Sequence, residues 1–203
     1  MKILGIGKNY VTDLKDISES KKNPKLIFSK PESSLAVNCD IVYPSITEKL
    51  AYEIELVIKI GKEGKNIEAA DANSYISEIA VGIDYTAKDV LNEARENKFA
   101  WDLAKGFDGA APISNFKPVT DFADLSDINF DLKINGIQKQ VGNTAYMIHS
   151  FADIIAYVSK YMTLQPGDLI FTGTPAAGVG MSLKGDHLEC SVEGELLLDF
   201  NIL

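Results

Sequence analysis

Glu53 and Glu55 sit two positions apart in Ala51-Tyr52-Glu53-Ile54-Glu55-Leu56-Val57-Ile58-Lys59-Ile60, an apolar and β-branched run. In a strand the side chains alternate between faces, so both carboxylates point the same way. Unpaired, they repel each other across a poorly hydrated surface, and a hard divalent cation such as Mg2+ removes that cost. Asp84 follows at the end of another apolar run and could complete a three-carboxylate site, leaving the other octahedral positions to water and substrate. Spacing alone does not separate this from a solvated strand face. The run Glu193-Gly194-Glu195-Leu196-Leu197-Leu198 repeats the pattern, and there the acids read as structural.

The elements that must position these residues follow from periodicity. Lys2 to Gly7 reads as a short strand; its Gly5-x-Gly7 lacks the third glycine and βαβ setting of a dinucleotide site. Ser18 to Pro24 is polar and reads as a loop. Tyr75, Ile76, Ile79 and Ala80 have helical spacing, so a helix is expected over Asp71 to Val81, delivering the chain to Asp84. Thr86-Ala87-Lys88-Asp89 has the form of a capping box, which starts a second helix at Thr86 and carries it through Glu96. Trp101 is expected in the core. Asn135-Gly136 marks a hairpin turn after Phe130, with Gln138 to Gly142 on the return strand. Ser150 to Asp153 opens a helix whose apolar face is Phe151, Ile154, Ile155, Val158 and Met162. Leu164 to Asp168 turns into a strand over Leu169 to Thr172, and Lys184-Gly185-Asp186 turns into a terminal hairpin.

The chain's 203 residues suit one domain, 1–203, with a core of its own. A net charge of -9 argues against nucleic acid, which demands a basic footprint. An anionic substrate would therefore need local positive charge from a metal and a few lysines. No stretch reads as a membrane span or signal peptide. Cys39 and Cys190 offer no disulfide framework, and a cytoplasmic location is expected. His149 and His187 are each isolated, and neither is expected to bind metal.

Three blocks carry a resemblance: Gly82-Ile83-Asp84-Tyr85-Thr86-Ala87-Lys88-Asp89-Val90, Ala104-Lys105-Gly106-Phe107-Asp108, and Pro166-Gly167-Asp168-Leu169-Ile170-Phe171-Thr172-Gly173-Thr174-Pro175. In this order they resemble the signature of the fumarylacetoacetate hydrolase family, closest to its short acylpyruvase and oxaloacetate decarboxylase type, over nearly the whole chain. The resemblance implies a mixed β (α+β) fold, a rolled β-sandwich with a few helices, usually dimeric. It implies Mg2+ or Mn2+ on Glu53, Glu55 and Asp84. It further implies substrate contacts at Lys88, Thr174, Gly173 and Lys30, the last within Leu26-Ile27-Phe28-Ser29-Lys30-Pro31, and it makes Lys105 the group that stabilises an enolate oxygen.

The chain also departs from that pattern. Lys88 stands where the family usually has arginine, keeping the charge but losing the planar fork, and Leu91 replaces a common glutamine. The Pro175-Ala176-Ala177-Gly178-Val179-Gly180 loop is one residue longer than usual. The family's Arg-Asn-Tyr block is here Lys8-Asn9-Tyr10. Asp13 and Asp16 occupy the places of the lid His and Glu that activate water, and aspartate can serve as base only if burial or a neighbouring carboxylate raises its pKa. The implied substrate is a small anionic keto acid, and the implied chemistry is C–C bond hydrolysis or decarboxylation. Decarboxylation of oxaloacetate needs no water at the cleavage step, whereas hydrolysis of an acylpyruvate does. Isomerisation of a dienedioate, or non-catalytic keto-acid binding with a degenerate lid, are the alternatives. Asp13 buried at the metal's open face would favour an enzyme, and Asp13 in solvent a binder.

Overall fold

A computed structural model describes the whole chain, Met1–Leu203. The first third lays down β1 (Ile3–Gly7), α1 (Ile17–Ser20), β2 (Leu26–Lys30), β3 (Leu35–Val37), β4 (Leu50–Tyr52) and β5 (Ile54–Ile60). The middle adds α2 (Ala69–Ala72), β6 (Ile76–Ile83), β7 (Thr86–Ala87), α3 (Lys88–Asn97), α4 (Asp102–Lys105), β8 (Ala111–Ile113), β9 (Lys117–Pro118), β10 (Asn129–Ile134) and β11 (Ile137–Asn143). The remainder is α5 (Phe151–Ser159), β12 (Leu169–Phe171), β13 (Gly180–Ser182), β14 (His187–Val192) and β15 (Glu195–Asn201).

These strands form three sheets. The largest runs β2-β1-β12-β5-β6-β8-β3, with β9 also on β6; a four-stranded sheet runs β11-β10-β14-β15, and a small one β13-β4-β7. On β5, Ile54, Leu56, Ile58 and Ile60 face the main core, which they share with β10, β14, β15 and α5. The opposite face carries Val57, packed in a smaller cluster with Ile3, Ala80, Ala111, Ile113, Leu169 and Phe171. Both faces of the central strands are thus covered. That removes the polar and apolar alternation expected of a half-exposed strand.

The same fact explains the main misreading of the sequence. Residues 76–83 are β6, paired with β5 through Ile54↔Ile83 to Ile60↔Ile76, and not a helix; only Ala69–Ala72 and a turn of 3-10 helix at Asn73–Tyr75 precede it. Doubly buried strands read as continuous apolar runs, so the helical spacing there was coincidental. The capping box at Thr86 is also absent. Thr86 and Ala87 pair with Ala51 and Leu50, and α3 begins at Lys88 with no side-chain cap. Asp89 instead accepts hydrogen bonds from the Thr47 hydroxyl and, at 2.9 Å, from the Glu48 backbone N–H. Part of the expected loop after Ser18 closes the short helix α1.

Other expectations hold. Asn135 and Gly136 both have positive φ in the β10–β11 hairpin, as a two-residue turn requires. Ser150 and Asp153 form a reciprocal capping box at the start of α5. Gly185 has a φ of 90° in the turn before β14.

Candidate active site

The β4–β5 strand is broken at Glu53, whose backbone carbonyl accepts the Asp84 N–H at 2.8 Å. Glu55 stands on β5 opposite Gly82. A Cβ on Gly82 would lie 2.8 Å from the Pro112 carbonyl, so glycine is what allows β8 to close against the strand leading to Asp84. Glu53, Glu55 and Asp84 thereby line one cavity of about 210 Å³, together with Thr86, Lys88, Leu91, Arg95, Trp101, Lys105, Thr174 and Val179.

Charges in this cavity are layered. Asp84 is buried, with the Lys105 ammonium 2.5 Å from one carboxylate oxygen and the Lys30 ammonium 2.8 Å from the other. Burial works against its negative charge, but Lys105 and Lys30 outweigh it and hold its pKa below the ordinary carboxylate value. Lys105 also reaches Glu53 at 3.2 Å and lies over the Phe28 ring at 4.4 Å. Burial disfavours its charge too, yet Asp84 and Glu53 leave its pKa above the usual lysine value. Glu55 has no lysine of its own. Burial, then the charges of Asp84 and Glu53, push its pKa well up, against the single short hydrogen bond of 2.7 Å from the Gly173 N–H.

An all-oxygen donor set of three carboxylates suits a hard divalent cation. Asp84 Oδ1 adds a specific observation: it is buried and accepts no hydrogen bond. Lys30 is close, but its ammonium donates to the carbonyls of Tyr85, Lys105 and Ala110, which uses its three protons. An open lone pair on Asp84 and excess negative charge at Glu55 are what a cation would satisfy, so the residues fit one. The three carboxylates are not drawn into a closed ligand cluster, and Lys105 stands between Glu53 and Asp84.

The remaining candidates are placed differently. Lys88 and Thr174 line the cavity. Lys30 lies beneath it, fully enclosed, with burial drawing its pKa down to about 8 against the pull of Asp84; it supports Asp84 and does not reach the cavity. Gly173, at a φ of +104°, turns its N–H onto Glu55 and is likewise absent from the cavity wall. Asp13 and Asp16 do not line it either. Asp13 is about half exposed, caps a 3-10 turn by accepting the Lys15 N–H, and pairs with the Lys15 ammonium at 2.7 Å. That pairing lowers its pKa, the reverse of what a general base in its place needs. Trp101 is a half-buried cavity wall, not core.

Three further residues support the site. Gln140, buried on β11, accepts the Ile54 N–H at 2.9 Å and donates to Thr174 Oγ1 at 3.0 Å, tying the carboxylate strand to the threonine loop. Asn9 donates to the carbonyls of His149 and Thr172 and accepts the His149 N–H, fixing the loop before Gly173. Thr86 donates to Glu53 at 3.3 Å. Gln140 lies in a plain hairpin return, and no local signal marks it. Asn9, within Lys8-Asn9-Tyr10, was the more visible of the two.

Comparison with known proteins accords with this arrangement. The family model for the fumarylacetoacetate (FAA) hydrolase C-terminal region matches residues 2–199. The chain is 34% identical over 201 residues to bovine (Bos taurus) mitochondrial oxaloacetate tautomerase FAHD1, covering 98% of this chain and 90% of that protein. It is 35% identical over 195 residues to the mitochondrial oxaloacetate decarboxylase of Dictyostelium discoideum, covering 95% and 89% respectively. Among solved structures, fumarylpyruvate hydrolase from Pseudomonas aeruginosa, in complex with Mn2+ and pyruvate, superposes with a TM-score of 0.89 at 30% identity, covering 100% of this chain and 90% of that one. The expected mixed β fold with few helices is the fold of these enzymes. The chain belongs to the fumarylacetoacetate hydrolase family of enzymes.

Proposed function

We propose that this protein is a metal-dependent enzyme of small α-keto acids, acting by decarboxylation or keto–enol proton transfer ahead of hydrolysis. The observation that carries the proposal is the pairing of a carboxylate triad, Glu53, Glu55 and Asp84, with the buried Lys105 ammonium at one cavity. These carboxylates would hold Mg2+ or Mn2+, which supplies Lewis acidity toward the keto oxygen of a bound substrate. Lys105 gives two protons to Asp84 and Glu53 and keeps a third for a substrate oxygen on which negative charge develops. Held by Asp84 and Glu53, its ammonium is placed as an electrostatic donor to that oxygen and not as a base. Lys88 and Thr174 supply a cation and a hydroxyl for the substrate carboxylate. Phe28, Leu91 and Val179 limit water at the reacting carbons.

Hydrolysis ranks below the other branches because Asp13, its candidate base, is engaged by Lys15 in solvent. An exposed Asp13 also suits a non-catalytic binder, but membership in an enzyme family and the intact carboxylate–lysine core weigh for catalysis. The names of the mitochondrial relatives, oxaloacetate tautomerase and decarboxylase, accord with the favoured branches. Oxaloacetate and short acylpyruvates, assayed with Mg2+ or Mn2+ and with EDTA, test the proposal against a Glu53→Ala control. Metal-dependent conversion of oxaloacetate that the substitution abolishes is the expected result. Faster turnover of acylpyruvates than of oxaloacetate would return hydrolysis to first place, and binding without any turnover would make the protein a keto-acid binder. A homodimer and a cytoplasmic location belong to the same proposal. No helix is long and apolar enough to cross a membrane, and the free Cys39 and Cys190 suit a reducing compartment.

A further inference from the structure

Arg95 is the only arginine among the 20 basic residues of the chain, and Trp101 the only tryptophan. They meet: the guanidinium lies 5.1 Å from the centre of the Trp101 ring. This stack stands where the inner cavity joins a larger outer one of about 750 Å³, and both residues, with Lys8 and Leu26, line the two. Arg95 has no carboxylate partner and no side-chain hydrogen bond of its own, so its fork of N–H donors is free. Lys8 and Lys25, also on the outer wall, have no acidic partner either, and no carboxylate lines that wall. In a protein of net charge -9, a cavity with three cations that lack a carboxylate partner, two of them lying over aromatic rings, and with no acid on its wall is a local reversal of the global field. Lys8 reaches it from a left-handed backbone, φ 58°, a conformation that non-glycine residues adopt uncommonly and often at functional sites.

The helix supplies a ruler. Lys88, Leu91 and Arg95 are spaced i, i+3, i+7 on α3, so they share the face turned to the cavity. At 1.5 Å per residue, Arg95 is displaced from Lys88 by roughly 10 Å along the helix axis. Leu91, buried between them, offers an apolar wall at the midpoint. The inner cavity alone is smaller than most small-molecule sites, which span ~300–1,000 Å³, and the outer cavity it joins at Arg95 gives a ligand bound at the triad and longer than oxaloacetate room to extend past Leu91.

We propose that Arg95, held over the Trp101 ring and backed by Lys8 and Lys25, is a specificity-determining residue that binds a second, distal carboxylate of the substrate. The favoured substrate is then a dianionic keto acid with an apolar spacer, its keto-acid head at the carboxylate triad and its far carboxylate bidentate on the guanidinium. Arginine suits that task where lysine does not, because its planar fork matches a carboxylate and stacks on an aromatic face. The inference rests on the keto-acid reading of the triad.

Two stable head-group mimics test it by calorimetric binding to the whole protein with Mn2+ present: N-(3-carboxypropyl)oxamate and its uncharged isostere N-(3-carbamoylpropyl)oxamate. Wild type is expected to bind the carboxylate form about 10- to 100-fold tighter, the worth of a charge-assisted hydrogen-bonded pair. In Arg95→Gln that preference falls to within about threefold, and Arg95→Lys recovers only part of it. Arg95 is exposed, so both variants are expected to fold. Equal binding of the two mimics by wild type, or a preference that survives in Arg95→Gln, overturns the assignment of Arg95 and leaves the triad reading standing. Failure of wild type to bind either mimic, with or without Mn2+, overturns the triad reading and with it the inference.

Discussion

Two lysines, Lys30 and Lys105, hold the Asp84 carboxylate charged in the interior, and their tasks differ. Lys105 meets the cavity, whereas Lys30 spends its protons on three carbonyls under it. Replacing Lys30 by methionine would strip those carbonyls of their donor and leave Asp84 a single cation. Breaking a buried pair by removing one partner costs about 3–5 kcal/mol, so Lys30→Met is expected to shift the denaturant midpoint strongly downward. A variant of wild-type stability that instead failed to bind keto acids would make Lys30 a substrate ligand and refute its placement beneath the site. The resemblance had grouped Lys30 with substrate contacts because a sequence block gives proximity without direction. Which of two neighbouring lysines faces the cavity depends on where β2 and α4 cross the Asp84 loop. Spacing alone set Glu53 and Glu55 no further apart from the background than Glu193 and Glu195; the resemblance singled them out and supplied Asp84, and the strand that should carry the pair is itself interrupted at Glu53. Gln140 was not legible, since its two partners lie 86 and 34 residues away.

At the scale of elements, legibility followed local chemistry. The cap at Ser150 was readable because all of its atoms belong to four consecutive residues. The similar pattern at Thr86 failed because Glu53 and Thr47, both distant in sequence, took the groups that would have capped. β6 failed for another reason: a strand buried on both faces has no pattern to read. The α5 cap also yields a prediction with a pH sign. Ser150→Ala removes the hydroxyl that accepts the Asp153 N–H at 3.2 Å and is expected to cost about 1 kcal/mol. Burial opposes the Asp153 charge, but the Ser150 N–H and Lys21 outweigh it and leave its pKa below the usual value. A carboxylate with a lowered folded pKa stabilises above its unfolded pKa and loses that contribution as pH falls through the folded one. The stability gap between wild type and Asp153→Asn should therefore be constant near neutrality and shrink below about pH 4. A gap that stays constant into acid would mean that the ionised form of Asp153 adds nothing to the cap.

One group of exposed apolar side chains is gathered by the chain's C-terminal strand away from the site. Val42 and Leu183 are 69% and 65% exposed, and Leu203 is 53% exposed. Backbone hydrogen bonds gather them: Tyr43 N–H donates to the Leu203 carbonyl, Ile41 pairs with Ile202, and the Gly185 N–H donates to the Ile202 carbonyl. Met181 and Ile46 add further exposed apolar surface. A clustered apolar patch on a strongly charged chain marks an association surface, and a self-complementary one produces a two-fold dimer. The net charge of -9 opposes that association, so burial of the patch must outweigh repulsion between copies, and the balance should tip toward the dimer as salt screens the charges. Sedimentation velocity should accordingly give a dimer that tightens with ionic strength, and Leu183→Asp combined with Val42→Asp should give a monomer. Because both side chains are exposed, the monomer should keep its fold and its far-UV spectrum. A double variant that remains dimeric would move the interface elsewhere, and a wild type that sediments as a monomer at every salt concentration would remove the dimer from the proposal altogether.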